Sequence, residues 1–206
     1  GKFIDVNGLA ISPGFIDVHT HAENIKHHPK AENFLRMGVT TLVVGNCGSS
    51  PRDVGAFFKQ VDNKGFSANV AALVGHGTIR RQAMGGSFLR PPTAKELATM
   101  REHVDRAMRA GALGMSTGLI YLPGTFAKME ELINLSKVVA RQGGLYVSHM
   151  RSEGTKIFEA VDEVCRIAAE AGLPVHISHL KLAGKTMWGR HGELLARLDR
   201  ARAEGV

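Results

Sequence analysis

Cysteine is scarce in this sequence: Cys47 and Cys165 are the only two among 206 residues. Two cysteines are too few for a disulfide framework, so we expect a reducing compartment and predict a cytoplasmic protein. No run of residues approaches the roughly 18 apolar residues of a membrane span. The first residues, GKFIDVNGLA, also lack the basic and then apolar pattern of a signal peptide. These absences predict a protein with no membrane partner.

A basic stripe interleaved with aromatic side chains is also missing, although the net charge is +7. The basic residues are dispersed along the chain, and those at helical spacing alternate with acidic ones, as in Arg101, Glu102, Asp105 and Arg106. This mixture is typical of a solvated helix face. Nucleic-acid binding normally needs a concentrated basic surface with stacking aromatics, so we predict no nucleic-acid partner.

Short apolar runs alternate with amphipathic helical segments along the whole chain. The helical segments are well punctuated: one opens with a capping box at Thr93 and Glu96, and others end at glycine. Strand and helix in regular alternation predict an α/β fold with parallel strands and right-handed crossovers. The runs read as strands are GFIDVHTH, TTLVVGNCG, NVAALVGHG, LGMSTGL, LYVSHMR and PVHISHLK.

Unusual polar residues stand at the ends of these runs, which favours a (β/α)8 barrel over a doubly wound sheet. In barrel enzymes the active site is built from the carboxyl ends of several different strands. A complete barrel has eight strands and typically about 250 residues, whereas six strand-helix units are visible here. We therefore predict that residues 13–206 form a partial barrel that lacks its last strands.

Histidine and cysteine recur at the same position of the repeating unit. Strand alternation would place His19 and His21 on one face with Asp17. One histidine at a strand end is more often a hydrogen-bonded polar residue than a ligand, and a lone cysteine is more often a small buried apolar residue. The shared position of the set favours a metal site at the barrel mouth, with the nitrogen and sulfur donors that zinc prefers. His76 is read as loop structure or as support behind the ligands, and His27 and His28 as solvated.

The strand motifs resemble those of the N-acyl-D-amino-acid deacylases, or D-aminoacylases, of the amidohydrolase superfamily. The resemblance runs in the same order from about Ser12 to the last residue, and residues 1–12 resemble the tail of the small accessory β-sandwich of that family. The motifs that carry it are PGFIDVHTH, GVTTLVVGNCG, ALVGHGTIR, GALGMSTGLIYLPGT, GGLYVSHMRSEG and GLPVHISHLKLAG.

This resemblance implies roles for particular residues. One tightly bound Zn²⁺ would be held by Cys47, His149 and His179, and a second, weaker metal position by His19 and His21. Lys181 would hold the substrate carboxylate, while Ile120 and Tyr121 would line the substrate pocket. Arg151, on the same strand face as His149, is read either as a second anion contact for the substrate or as a structural ion-pair partner.

The reaction implied is hydrolysis of the amide bond of a small-molecule N-acyl-D-amino acid. Zinc would polarise the carbonyl and activate water, while a carboxylate moves the proton. In the family that base is an aspartate on the eighth strand, expected after Val206, so no catalytic carboxylate is assigned here. Asp17 is read as support for a ligand and Glu153 as a helix cap or a solvated charge. We therefore expect the 206 residues alone to be inactive.

Two alternatives stay open. Cyclic-amide hydrolases such as dihydroorotase or hydantoinase bridge two metals with a carboxylated lysine on strand four. Here that strand reads LGMSTGL without lysine, and Cys47 supplies a ligand that those enzymes lack. A non-catalytic metal-binding fragment is the second alternative. The loop after the paired histidines, HAENIKHHPK, departs from the family pattern, which leaves the acyl group open. The preferred side chain and the oligomeric state are open as well.

Overall fold

Six parallel strands form one curved sheet with their order in space following their order in sequence. The structure is a computed structural model that describes residues 1–206. The strands are β1 (Phe15–Asp17), β2 (Val39–Val44), β3 (Asn69–Gly75), β4 (Gly114–Gly118), β5 (Leu145–His149) and β6 (Val175–Ile177). Five of them lie within their predicted runs, and β2 begins at Val39, one residue before its run. The α/β prediction with parallel strands is confirmed.

Seven α-helices connect or follow these strands. The helical segment predicted to open with a capping box is confirmed as Ala94–Arg109, which we call α4. At the start of α4, Thr93 Oγ1 accepts from Glu96 N and a Glu96 carboxylate oxygen accepts from Thr93 N, which is the predicted capping box. The helices are α1 (Glu32–Leu35), α2 (Val54–Lys64), α3 (His76–Met84), α4 (Ala94–Arg109), α5 (Met129–Ala140), α6 (Ile157–Ala171) and α7 (His191–Ala203).

The two faces of the sheet pack separately. Side chains on one face join the helices in a large core, in which residues such as Leu42, Met115 and Tyr146 are fully buried. Val43, Leu73 and Val147 form a small second cluster. Because side chains alternate along a strand, Val43 lies on the opposite face from Leu42. Burial on both faces explains why β2 and β3 carry apolar residues at consecutive positions, as in Leu42 and Val43. Cys165 packs against the large core.

The first strand is shorter than its sequence run. β1 ends at Asp17, and the chain bends at Val18 and His19 before His21. The prediction that strand alternation carries Asp17, His19 and His21 on one face was therefore wrong beyond Asp17. Residues 1–14 contain no strand or helix, so their assignment to an accessory β-sandwich stays a prediction. None of the helices combines the length and apolar character needed to cross a membrane.

Candidate metal centre

The carboxyl ends of β1, β2, β5 and β6 converge on one point. His19 follows β1, Cys47 lies in the turn after β2, His149 ends β5 and His179 follows β6. The rings of His19 and His179 are 5.1 Å apart between centroids, although they come from opposite edges of the sheet. The curvature of the six strands therefore assembles one site from both edges.

A cluster of nitrogen, sulfur and oxygen donors occupies this point, and we refer to it as the donor cluster. The Cys47 sulfur lies 3.6 Å from Nε2 of His19 and 3.6 Å from Nδ1 of His149. The rings of His149 and His179 are 4.4 Å apart. Donor atoms of His19, Cys47 and His179 all lie within 4.8 Å of one another, as do those of His149, Glu153 and His179. The members of the donor cluster are His19, Cys47, His149, Glu153 and His179.

The spacing and chemistry of these donors fit zinc. With Zn–S near 2.3 Å and Zn–N near 2.0–2.1 Å, a tetrahedral angle puts sulfur and nitrogen about 3.6 Å apart, and both measured separations are 3.6 Å. Nδ1 of His19 is buried and has no hydrogen-bond partner. The atom of this ring that faces Cys47 is Nε2, so the chemical fit rests on the sulfur and imidazole donors, which zinc prefers. The donor set therefore passes a geometric test and a chemical test for zinc.

Electrostatics also prepares the site for a cation. Burial lowers the pKa of both His19 and His149, and the neighbouring imidazole of His179 lowers both further. These rings are therefore kept neutral, which is the form that binds metal. Burial raises the pKa of the Cys47 thiol, and the carboxylates of Glu153 and Glu23 act in the same direction. A bound cation would reverse this last effect, because it stabilises the thiolate.

Glu153 is the residue of the cluster that the sequence interpretation missed. It is not a solvated charge, because its side chain is only 16% exposed. Its Oε1 lies 2.5 Å from Nζ of Lys181 and 2.7 Å from Nδ1 of His179. The one available signal was its position four residues after His149, which the turn after β5 brings back beside that ring, with 4.0 Å between Oε1 and Nε2.

Lys181 lies where the resemblance places a substrate carboxylate contact. Its ammonium group contacts Glu153 and is 3.0 Å from Nδ1 of His179, and the side chain is 49% exposed. Exposure leaves an approach for a second anion. Lys181 therefore lies beside the donor cluster and in reach of solvent, as its predicted role requires.

A cavity of about 280 Å³ opens next to Cys47. The ring of Tyr121 forms part of its wall and also meets His149 edge-on, with 4.7 Å between centroids. Ile120 is half exposed and does not line this cavity. His21 lies on the cavity wall, and its ring is 5.5 Å from that of His19. His21 is thus adjacent to the donor cluster but is not one of its closely spaced donors.

Arg151 does not join the donor cluster. Its guanidinium group contacts the Glu163 carboxylate through Nε and Nη2, and it donates to the backbone carbonyls of Thr125 and Ala127. These contacts involve all three nitrogens and support the ion-pair interpretation, while the substrate contact stays a prediction. Asp17 also differs from expectation in detail, because its carboxylate accepts from the backbone N–H of His19 rather than from a ring.

His76 is neither a loop residue nor a neighbour of the ligands. It begins α3, is fully buried, and its Nε2 lies 2.8 Å from Glu131 Oε1 on α5. The other Glu131 oxygen is hydrogen-bonded by Arg80, which is also fully buried. His76, Arg80 and Glu131 form what we call the buried network. His27 and His28 are exposed, as predicted.

Comparison with known proteins gives a consistent result. A model described as amidohydrolase family matches residues 2–204. An N-acyl-D-glutamate deacylase from Alcaligenes xylosoxydans xylosoxydans is 37% identical over 98% of the chain and 46% of its own length. A D-aminoacylase from the same organism is 36% identical over 97% of the chain and 46% of its own length. The chain therefore spans about half the length of the curated relatives it matches.

Solved structures agree. A D-aminoacylase crystal structure has a TM-score of 0.89 and 36% identity, covering 93% of this chain and 45% of that one. An N-acyl-D-glutamate deacylase from Bordetella bronchiseptica, complexed with zinc and a phosphonate mimic of the tetrahedral intermediate, has a TM-score of 0.91 and 38% identity. It covers 94% of this chain and 46% of that one. An L-hydantoinase from Arthrobacter aurescens, at 18% identity and a TM-score of 0.58, shares the fold alone. The resemblance of the strand motifs is confirmed.

Proposed function

We propose, because this chain belongs to the amidohydrolase family, that it carries the zinc site of an enzyme that hydrolyses N-acyl-D-amino acids. The observation that supports this most is the donor cluster, in which Cys47 lies 3.6 Å from both His19 and His149. The relatives at 36–37% identity are named for deacylation of D-amino acids, which supports the substrate class. The products would be a D-amino acid and a carboxylate.

In this proposal Cys47, His149 and His179 hold the tightly bound Zn²⁺, and His19 with His21 serves a second, weaker position. When bound, zinc supplies a Lewis acid for the amide carbonyl and lowers the pKa of water. A solved D-aminoacylase has a binuclear metal centre, which supports two positions here. Because the Cys47 sulfur is equally distant from His19 and His149, it is able to contact a metal in either position.

Lys181 would bind the carboxylate of the substrate. Its ammonium group is half exposed beside the donor cluster, and Glu153 holds it there through the 2.5 Å contact. An ammonium group has three N–H donors and no acceptor, which suits a carboxylate. Glu153 would thereby act as a positioning residue for both Lys181 and His179. The cavity beside Tyr121 is the space available for the substrate next to the metal.

We propose that the general base lies outside these 206 residues, on an aspartate of a later strand. Glu153 is engaged by Lys181 and His179, and Asp17 accepts from the backbone of His19. Both carboxylates therefore already have partners within the chain, which supports a base elsewhere. Relatives about twice as long have room for further strands. Of the compartments, we propose the cytoplasm, because the scarcity of cysteine suits a reducing environment.

The test is an assay of the protein encoded by the full natural gene, stripped of metal and reloaded with zinc. We expect hydrolysis of an N-acetyl-D-amino acid, no hydrolysis of its L enantiomer, and loss of activity when a chelator removes the zinc. A zinc-loaded protein that opens dihydroorotate or a hydantoin and spares linear amides would favour the cyclic-amide alternative. A protein that binds zinc and hydrolyses neither would favour a non-catalytic role.

A further inference from the structure

The turn that carries Cys47 has an unusual backbone. Gly45, Cys47 and Gly48 all have positive φ values, of 83°, 53° and 76°. Glycine adopts this left-handed region readily, but a residue with a side chain does so at a cost in free energy. We call residues 45–48 the Cys47 turn. Some contact must hold Cys47 in this conformation, because the direction of its Cα–Cβ bond, and hence the position of its sulfur, depends on it.

A single hydroxyl group bridges the turn on both sides of Cys47. The Ser116 hydroxyl donates to the carbonyl oxygen of Gly45 at 2.5 Å and accepts from the N–H of Gly48 at 3.0 Å. Ser116 is fully buried on β4, which is separated from β2 by β3. The contact is therefore a long-range one, between residues 68 and 71 positions apart.

The neighbouring strands are shaped to receive the turn. A Cβ atom on Gly118 would lie 2.2 Å from the carbonyl oxygen of Cys47, and one on Gly75 would lie 2.6 Å from that of Gly48. Both distances are far below a normal contact, so glycine at these two positions lets the turn lie directly on the ends of β3 and β4. Ser116 and Gly118 are two residues apart and share a strand face.

From this geometry we infer that Ser116 is a positioning residue, which holds Cys47 in its left-handed conformation so that the sulfur faces the histidine donors before metal arrives. Within the backbone, the N–H of Ser49 donates to Asn46 O and closes a turn around Cys47. Two further contacts hold one side each: the N–H of Thr78 donates to Gly48 O, and the Asn46 amide donates to Val43 O. Ser116 differs because it is a side chain of another strand that bonds to the turn on both sides of Cys47. The inference rests on the proposed zinc site. It gives β4 a role in that site, although its sequence, GMSTG, contains no metal-binding residue type such as histidine or cysteine.

The experiment compares Ser116→Ala with wild type in the protein encoded by the full natural gene, with Cys165→Ser in both. Partners that orient a metal ligand typically contribute 10–100-fold to metal affinity, and we expect Ser116→Ala to weaken zinc binding by about this factor. The sulfur-to-metal absorption of the cobalt-loaded protein, measured per bound cobalt, should also fall. That signal reports the Cys47–metal bond and is insensitive to a loss of global stability.

Two matched variants complete the comparison. Ser116→Thr keeps a hydroxyl group and should restore zinc affinity and the cobalt signal. Thr117→Val removes the neighbouring buried hydroxyl, which bonds to Tyr146 and Ser148 and not to the turn, and should leave both unchanged. If Ser116→Ala yields no folded protein, the inference is tested by measuring hydrogen exchange of the Gly48 amide in the zinc-free wild type. A preformed turn requires slow exchange at that amide.

The outcomes separate the inference from the proposed function. If wild type binds zinc through Cys47 and Ser116→Ala binds it with the same affinity and cobalt signal, the positioning role is overturned and the zinc site stands. Fast exchange of the Gly48 amide in the zinc-free protein also overturns it. If wild-type zinc binding does not involve Cys47, the inference and the proposed site fail together.

Discussion

The donor cluster and the buried network are built from similar residues, because each combines histidine and glutamate with a basic side chain. They differ in how the polar atoms of these residues are paired. In the buried network each oxygen of Glu131 contacts its own donor, His76 or Arg80. In the donor cluster, a single oxygen of Glu153 contacts both Lys181 and His179. The sulfur of Cys47 lies between two imidazole rings, those of His19 and His149.

Exposure follows the same division. His76 and Arg80 are completely buried and the Glu131 side chain is 3% exposed, whereas the Lys181 side chain is 49% exposed. Arg80 also donates to two backbone carbonyls, so most of the buried network's donors are satisfied within the protein. A polar residue at the end of a strand therefore does not by itself identify a metal site. Metal-binding atoms from different strands that face one another, as the Cys47 sulfur faces His19 and His149, do identify one.

The sharpest test of this contrast is Cys47→Ala, for which we expect the largest effect. Removing the sulfur takes away a ligand that also contacts both His19 and His149. Tight zinc binding should be lost, and hydrolysis with it. Elemental analysis and a competition titration with a chelator measure the change. Cys165→Ala, which removes a cysteine that packs against the core, should keep a full complement of zinc. Equal zinc in Cys47→Ala and wild type would remove Cys47 from the site.

Glu131→Gln tests the other half of the comparison through stability. It leaves the buried guanidinium of Arg80 without its counter-charge, and breaking a buried pair in this way typically costs about 3–5 kcal/mol. Urea denaturation should show a loss of this size in the free energy of unfolding, while zinc content per folded molecule is unchanged. Glu130→Gln, at an exposed position on the same helix, should change stability by no more than about 0.5 kcal/mol. Similar losses in the two variants would contradict a structural role for the buried network.

Lys181→Ala should have a smaller and different effect. Loss of a charge-assisted hydrogen bond to the substrate carboxylate is worth about 1.5–3 kcal/mol, so kcat/KM should fall by roughly 10–100-fold, mainly through a higher KM. Steady-state kinetics on an N-acyl-D-amino acid gives the answer. Lys185→Ala removes an exposed lysine four residues away and serves as the control. Unchanged kinetics in Lys181→Ala would reassign Lys181 to a surface role.

Much of this arrangement is predictable from the sequence, because strand-end position repeats with the strand-helix unit. Cys47, His149 and His179 stand out in the sequence for this reason, and the structure brings all three together. His19, which follows β1, joins the same cluster. The strand period does not carry on to His21, because β1 ends at Asp17 and the chain bends at Val18 and His19.

The roles of residues whose partners are distant in the sequence could not be assigned from the sequence alone. The partner of His76 is 55 residues away on a helix, and nothing in the strand pattern predicts that contact. Glu153 has the sequence context of an ordinary turn residue, and only the approach of Lys181 from β6 identifies it. The sequence does not distinguish a substrate contact from an ion pair for Arg151, because either role requires only a cationic side chain near the end of a strand.

The smallest effect we expect is in the acid sensitivity of the buried network. Burial alone would raise the pKa of Glu131, but the hydrogen bonds and charges of His76 and Arg80 outweigh it, and the pKa is lowered below its usual 4.5. A carboxylate whose pKa is lower in the folded state adds stability that is present above the unfolded pKa and is lost as pH falls through the folded pKa.

The stability difference between wild type and Glu131→Gln should therefore shrink as pH falls below 4.5, where the Glu131 carboxylate is protonated more readily in the unfolded chain than in the folded protein. Protonation of the donor cluster also destabilises the protein in acid, but it affects both proteins equally and cancels in the difference. Urea denaturation of the two zinc-free proteins over this pH range measures it. Curves that stay parallel through pH 4.5 and below would show that the lowered pKa of Glu131 contributes nothing to stability, and that the buried network differs from the donor cluster in packing and not in charge.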